Sequence, residues 1–152
     1  MTKKLKIYLD TSVFGGYFER EFEEFTKPLF DRIINGEFML MVSDTTKEEL
    51  AGAPSNVKNL LSSLEKYNVE NINTTDEAYD LAEAYIKENV VGQTSFTDCI
   101  HIALATIYNA DYLVSWNFKH IVNVQRIRGY NAINIKNGYS LLEIRSPREF
   151  AL

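Results

Sequence analysis

Short apolar segments alternate with segments of helical periodicity along most of the chain. The apolar segments have the length and the β-branched or aromatic content of buried strands, and they lie at 5–10, 37–43, 69–75, 111–117 and 141–146. Between them, apolar residues three and four positions apart predict helices at 23–36, 44–52, 55–67, 75–90, 95–110 and 121–136. Gly15 and Gly16 predict a loop after the first strand. Strands that alternate with helices imply a parallel sheet covered on both faces, so we expect an α/β fold of three layers.

Length and composition are those of one ordinary globular domain. The 152 residues are 45% hydrophobic and 24% charged, and no repeat or Pro/Gly-rich linker divides them. The single cysteine, Cys99, cannot form an internal disulfide, which suits a reducing compartment. The basic N-terminus reaches Asp10 too early for the apolar core of a signal peptide. No apolar run approaches the roughly 20 residues that span a bilayer. We therefore expect a cytoplasmic protein without a membrane partner.

Charge is distributed unevenly along the chain, whose net charge is -5. Residues 1–116 carry 10 basic and 19 acidic side chains, whereas residues 117–152 carry 6 basic and 2 acidic ones. The overall negative charge argues against a protein that coats nucleic acid non-specifically, because such binding comes from Lys and Arg. An acidic body with a basic C-terminal stretch could combine a cation-binding cleft with a phosphate-attracting surface. Uneven solvated charge explains the same numbers equally well.

Oxygen-bearing side chains fall where the predicted strands end. Asp10 ends the first strand, Glu49 lies in the helix after the second, and Asn117 ends the fourth, which follows directly on the helix that carries Asp98. Ligands of parallel sheets bind at the carboxyl ends of the strands. Converging carboxylates repel one another unless a divalent cation neutralises them, and oxygen ligands suit Mg²⁺ or Mn²⁺. The sequence therefore predicts metal-assisted hydrolysis of a phosphodiester.

Helix capping offers a structural explanation for two of these acids. Thr46-x-x-Glu49 and Ser95-x-x-Asp98 both have the spacing of a capping box, in which the acid bonds the backbone of the helix N-terminus. Taken singly, each acid is more often a cap than a metal ligand. Only the combination with the other strand-end residues favours a site.

The remaining candidates also have structural alternatives. Asp10 could cap the segment that follows it, and Asn117 is a common N-cap residue. His101 lies one turn after Asp98 on a helix that is apolar nearly all round. We interpret His101 as a core residue or as a support for a neighbouring ligand rather than as a general base.

Four short motifs, in this order, resemble those of the PIN-domain family. They are LDTSVF around Asp10, VSDTTKEEL ending on Glu49-Leu50, TDCIHIALA with Asp98, and YLVSWNFKHI around Asn117. The similarity covers about residues 5–122 and is greatest to VapC-like toxin ribonucleases of type II toxin–antitoxin systems. It implies one PIN-like domain over 1–152, with the first strand at the centre of the sheet and a C-terminal extension over about 123–152.

The resemblance also implies the roles of individual residues. Asp10, Glu49 and Asp98 match the three acids of the family, and Glu49 is preferred to Glu48 because an aliphatic residue follows it. Asn117 stands where the family usually has Asp, a departure that weakens a second ion site while leaving an amide oxygen. Residues matching the family's supporting hydroxyls are Thr11 and Ser115.

The implied activity is that of an endoribonuclease that uses Mg²⁺ or Mn²⁺. The implied partners are RNA as substrate, a cognate antitoxin protein and a second copy of the chain. A haloacid-dehalogenase-like phosphatase would need a second Asp where this chain has Ser12. A PIN-like domain that binds RNA or protein without cutting remains the alternative, because Asn117 departs from the family pattern.

Overall fold

The computed structural model describes residues 3–67, 69–88 and 95–150, in which five strands form one parallel sheet. The strands are β1 (Leu5–Leu9), β2 (Phe38–Ser43), β3 (Val69–Ile72), β4 (Tyr112–Val114) and β5 (Glu143–Arg145). The helices are α1 (Thr11–Gly16), α2 (Glu23–Ile34), α3 (Asp44–Leu50), α4 (Ser55–Leu64), α5 (Asp76–Lys87), α6 (Phe96–Ile107) and α7 (Val124–Lys136). A 3₁₀ helix follows at Pro147–Phe150.

The first strand occupies the centre of the sheet, whose order is β3-β2-β1-β4-β5. Ile7 pairs with Leu40 of β2 on one side and with Tyr112 of β4 on the other. All neighbouring strands run parallel, so their carboxyl ends meet at one edge. The predicted parallel α/β architecture and the central position of the first strand are confirmed.

Side chains alternate across β1 and build one core on each face of the sheet. Ile7 and Leu9 pack with α1, α2 and α4, whereas Tyr8 between them packs with α5, α6 and α7. All three side chains are buried. Helix α6 is the most deeply enclosed, with an unbroken buried run from Cys99 to Thr106. The three layers follow from this alternation, since each face of the strand needs its own cover.

The loop predicted at Gly15 and Gly16 is wrong, because both residues belong to helix α1. The chain turns into this helix at once, and the Val13 N–H bonds the Asp10 carbonyl. Gly16 is required by close packing rather than by a turn. A Cβ at Gly16 would lie 2.7 Å from Nε1 of Trp116, closer than carbon and nitrogen can approach. A local glycine signal was mistaken for a turn because Trp116 is distant in sequence.

The other predicted elements are present with shorter bounds. Helix α7 begins at Val124 rather than near 121, because Asn123 caps it by accepting the N–H groups of Gln125 and Arg126. Residues 89 and 90, at the end of the helix predicted at 75–90, lie outside the described residues. In the C-terminal segment β5 extends the sheet, and Phe150 packs edge-on against Phe38. No helix among the described residues is long and apolar enough to cross a membrane.

Candidate active site

The first candidate residues lie side by side at the carboxyl ends of the central strand β1 and its neighbour β4. Asp10 follows β1 and Ser115 follows β4. The Asp10 N–H bonds the Val114 carbonyl at 2.9 Å, which carries the pairing of the strands into the site. Helices α3 and α6 bring Glu49 and Asp98 to the same edge. The parallel topology thus gathers residues from four separate parts of the chain.

The Asp10 carboxylate lies beneath the surface, only 5% exposed. Its Oδ2 accepts hydrogen bonds from Ser12 at 2.8 Å and from Ser115 at 2.9 Å. The two serine hydroxyls thus satisfy this buried carboxylate oxygen. Ser115 supports the acid, and Ser12 does so equally. Ser12 was not among the supporting residues predicted from the sequence, although its position two residues after a strand-end acid was a usable signal.

Glu48 and Glu49 are both exposed, but the Glu49 carboxylate contacts Thr11 and His101 in the site. Oε1 of Glu49 accepts the Thr11 hydroxyl at 2.5 Å and lies 2.5 Å from Nε2 of His101. Burial by itself would raise the pKa of Glu49, but the hydrogen bonds from His101 and Thr11 outweigh it and hold the pKa below its ordinary value. The side chain is about one third exposed, at 35%. Glu49 is thus an ionised carboxylate at the solvent boundary of the site.

His101 lies fully buried directly beneath the acids. Its Nε2 contacts Glu49 and lies 3.9 Å from Oδ1 of Asp10, and its Nδ1 lies 2.6 Å from the Tyr8 hydroxyl. Desolvation lowers the pKa of His101, but the hydrogen bond to Glu49 and the charges of Asp10, Glu49 and Asp98 raise it overall. The structure agrees with the interpretation of His101 as a supporting residue, and Tyr8, which supports it in turn, was not anticipated.

Asp98 and Asn117 meet on the far side of the site. Nδ2 of Asn117 lies 3.4 Å from Oδ2 of Asp98, and Oδ1 of Asn117 accepts the His120 N–H at 3.0 Å. Desolvation, then repulsion from Asp10, raises the pKa of Asp98 to about 6; His101 opposes this shift, and Glu49 adds a smaller repulsion. The charges of both other acids therefore act on Asp98, so the three carboxylates interact electrostatically.

The donor set fits a hard divalent cation that keeps part of its water shell. The candidate ligands are carboxylate and amide oxygens, the type that Mg²⁺ and Mn²⁺ prefer. Desolvation and then the negative charge of Asp10 raise the pKa of Asp98, so a bound cation would favour its ionised form. In the part of the chain that the structure describes, no three acidic, His or Cys side chains form a ready-made metal cage. An ion bound through one or two carboxylates plus waters needs no such cage.

Comparison with known proteins agrees with this architecture. The model of the PIN-domain family matches residues 7–119, more than half of the chain. The chain belongs to the PIN-domain family. The match begins in β1 and extends just past Asn117, so all four candidate ligands of this PIN domain lie inside it. A comparison with curated protein sequences gives no match.

Similar solved structures are toxins and toxin–antitoxin complexes. VapC20 of Mycobacterium tuberculosis, a toxin that cleaves the sarcin-ricin loop, has a TM-score of 0.58 at 12% identity, over 74% of this chain and 90% of that one. VapBC2 of Rickettsia felis, bound to promoter DNA, has a TM-score of 0.58 at 14% identity, over 93% of this chain and 98% of that one. FitAcB of Neisseria gonorrhoeae has a TM-score of 0.56 at 17% identity, over 96% of this chain and 99% of that one. At these identities the likeness shows the fold alone.

Proposed function

We propose that this PIN domain is an endoribonuclease that depends on Mg²⁺ or Mn²⁺. One observation carries the proposal. Asp10 and Glu49, which come from different layers of the fold, face the same nitrogen of His101. The charges of both also act on Asp98. Three carboxylates at the carboxyl edge of a parallel sheet repel one another and so destabilise the fold. A bound cation would neutralise this repulsion, and a phosphate could bind beside it at this edge, where parallel sheets bind their ligands.

The cation would be held by Asp10, Glu49 and Asp98, one or two of them directly and the rest through its waters, with Asn117 as a fourth oxygen donor or as a group that orients water. When bound, it would activate a water molecule and stabilise negative charge at the phosphate. The chain's hydroxyls fix the acids beforehand. Thr11 holds Glu49, and Ser115 holds Asp10 through Oδ2 and leaves Oδ1 on the side of Glu49 and His101. Side chains preset in this way reorganise little when a cation binds.

RNA as the substrate is supported by the basic residues beyond Asn117. Lys119 is exposed and His120 is partly so. Partial desolvation together with the positive charges of Lys119 and Arg126 lowers the pKa of His120, so the three basic groups lie close together. A phosphate backbone that enters from this side would meet positive charge before it reaches the acids. The cleavage of the sarcin-ricin loop, an RNA element, by VapC20 makes RNA the first substrate to test.

A toxin role with a cognate antitoxin is the physiological context that we propose, in the cytoplasm. The similar structures include complexes of toxins with their antitoxins. Beside Glu49 runs an apolar groove that includes Phe18, Leu50, Pro54 and Val57. A partner that filled this groove would cover Glu49 and block the site. A small DNA-binding protein encoded next to this chain, which co-purifies with it, would support the role, and pairing of the chain with a second copy is testable in the same preparation.

The deciding experiment compares wild type with Asp10→Asn on single-stranded RNA. We expect wild type to cut RNA with Mn²⁺ or Mg²⁺ and to stop in EDTA. The variant should lose at least about 100-fold in rate, because a metal ligand is removed. The amide still accepts the two serine hydroxyls, so its unfolding curve should stay close to that of wild type. RNA binding without any metal-dependent cleavage by wild type would instead favour the non-catalytic alternative.

A further inference from the structure

A chain of buried polar groups runs through the core beneath the site. Ser43 at the end of β2, Tyr8 of β1 and His101 of α6 are each fully buried. The Tyr8 hydroxyl lies 2.8 Å from Oγ of Ser43 and 2.6 Å from Nδ1 of His101. From the opposite nitrogen the chain passes to Glu49 at 2.5 Å. It thus joins two strands and two helices, and it ends on a candidate metal ligand.

The start of the chain lies on the same short helix as its end. Ser43 caps α3 by accepting the Thr46 N–H at 3.0 Å, and its Oγ also contacts the Thr46 hydroxyl at 3.1 Å. Glu49 lies on that helix one turn later. Helix α3 has only seven residues, too few to fix a long glutamate side chain by itself. The polar chain ties both turns of α3 to the rigid centre of the sheet.

The hydrogen bond to Glu49 keeps its direction whichever protonation state His101 adopts. A carboxylate can only accept, so Nε2 carries the hydrogen that faces Glu49. In the neutral ring, Nδ1 accepts from Tyr8, whose oxygen accepts in turn from Ser43. In the charged ring these two bonds simply reverse, because both hydroxyls can donate or accept. In both protonation states, therefore, His101 donates an N–H from the core to Glu49.

A buried chain of hydrogen bonds stabilises the fold little more than well-packed apolar residues in the same place would. A satisfied buried hydrogen bond adds about 1 kcal/mol net, and a well-packed apolar core often does as well. On the opposite face of the sheet, Ile7 and Leu40 pack in a cluster of apolar side chains. A second buried polar pair, Tyr85 and Asn134, lies away from the acids, whereas this chain ends on Glu49. Its cost and its place together indicate a role in the site.

We propose that His101, held by Tyr8, positions the Glu49 carboxylate for the cation. This inference rests on the proposed function and deepens it. His101 is a positioning residue rather than a ligand, because its Nε2 is occupied by Glu49 and its ring has no open face at the surface. Groups that orient a metal ligand in this way typically change metal affinity by about 10–100-fold when they are removed.

The test compares four purified variants by calorimetric titration with Mn²⁺ and by urea unfolding. His101→Leu removes the donor and fills the space, whereas His101→Gln keeps an N–H near the former Nε2. Tyr8→Phe removes only the hydroxyl that holds the ring. Tyr85→Phe is the matched control, since Tyr85 is equally buried and its hydroxyl donates to Asn134 at 2.5 Å, away from the acids.

We expect His101→Leu to bind Mn²⁺ at least about 10-fold more weakly than wild type, and His101→Gln to recover most of that loss. Tyr8→Phe should weaken binding several-fold. Tyr85→Phe should lose stability comparable to that lost by Tyr8→Phe and bind Mn²⁺ like wild type. This contrast separates positioning from a general loosening of the core, and Tyr8→Phe provides it even if His101→Leu fails to fold.

Two outcomes overturn the inference in distinguishable ways. Wild-type affinity in both His101→Leu and Tyr8→Phe, with Mn²⁺ still bound by the wild-type protein, removes the positioning role and leaves the proposed function intact. Absence of Mn²⁺ binding by wild type itself overturns the proposed metal-dependent nuclease, and the positioning role with it. Equal weakening by Tyr85→Phe also overturns the inference, because any buried hydroxyl would then have the same effect.

Discussion

Asn117 turns the NH₂ of its side-chain amide, not the carbonyl oxygen, toward Asp98, and Nδ2 lies 3.4 Å from Oδ2 of Asp98. The carbonyl oxygen accepts the His120 N–H and so fixes the turn that follows β4. The residue that departs from the usual acid of the family thus holds one candidate ligand in place. Its NH₂ group also supplies a donor at a position where a carboxylate would add negative charge.

The first prediction concerns the replacement of Asn117. In Asn117→Asp one oxygen can still accept the His120 N–H, but the other would face Asp98 and repel it. We expect the metal-free variant to melt below wild type, and Mn²⁺ to stabilise it more than it stabilises wild type. Asn117→Ala should lose about 0.5–2 kcal/mol with the lost cap, and it should bind Mn²⁺ more weakly. Unchanged Mn²⁺ affinity in both variants would leave a centre of three carboxylates.

A second prediction separates the adjacent glutamates of α3. Neighbouring helical side chains point about 100° apart, and only Glu49 contacts Thr11 and His101. We expect Glu49→Gln to lose at least about 100-fold in metal-dependent RNA cleavage and Glu48→Gln to keep nearly all of it. Both are measured at the same Mn²⁺ concentration. The two variants carry the same chemical change, so equal effects would mean that the helix faces the site differently.

A third prediction detects the cation without knowledge of the RNA target. Binding to the folded state alone raises the melting temperature by mass action. Millimolar Mn²⁺ or Mg²⁺ should stabilise wild type, and EDTA should reverse the effect. Asp98→Asn should gain less, because a repelling carboxylate that the cation neutralises is gone. Asp80→Asn, an exposed position on α5, should respond like wild type. A flat titration in wild type would contradict the metal site.

A fourth prediction concerns RNA binding by Lys119. It is measured in the Asp10→Asn background, where cleavage does not interfere. Lys119→Glu should weaken binding several-fold and reduce the slope of log affinity against log salt by about one, as the loss of one phosphate contact does. Lys136→Glu is the control, because it makes the same charge change at the C-terminal end of α7, about 18 Å along the helix from Val124. Equal losses would indicate only a general charge effect.

A fifth prediction gives the pH dependence of stability at Asp44. Its Oδ1 accepts the N–H and the hydroxyl of Thr74 and the N–H of Thr45. Partial burial would raise the pKa of Asp44, but these hydrogen bonds outweigh it and lower the pKa below its ordinary value. A lowered pKa means that the stabilisation is complete above the unfolded-state pKa of about 3.9 and is lost as the pH falls through the folded value.

Asp44→Asn should therefore cost about 1 kcal/mol at pH 7, and this difference from wild type should shrink toward pH 2. Urea unfolding at the two pH values measures it. Asp31→Asn, an exposed replacement on α2, should show no comparable dependence. A difference that stays constant with pH would mean that the carboxylate charge is not what Thr74 recognises.

Apart from helix α1, the sequence by itself determined the succession of strands and helices and the strand-end position of Asp10. Both follow from local periodicity, because a buried strand and an amphipathic helix each leave a pattern within about ten residues. The parallel sheet followed as well, since helical crossovers between short strands allow little else. The order of the four motifs was enough for the family, which the match over residues 7–119 then showed.

Only the tertiary structure decided how the site is built around those acids. Ser12 and Ser115 meet on Asp10 across 103 positions of sequence, and Tyr8 meets His101 across 93. Gly16 is a packing residue because Trp116 lies against it. A sequence pattern records which side of an element is apolar, but it does not record which distant side chain will lie opposite. Hydrogen bonds and close packing depend on that choice, and the choice is made when the layers come together.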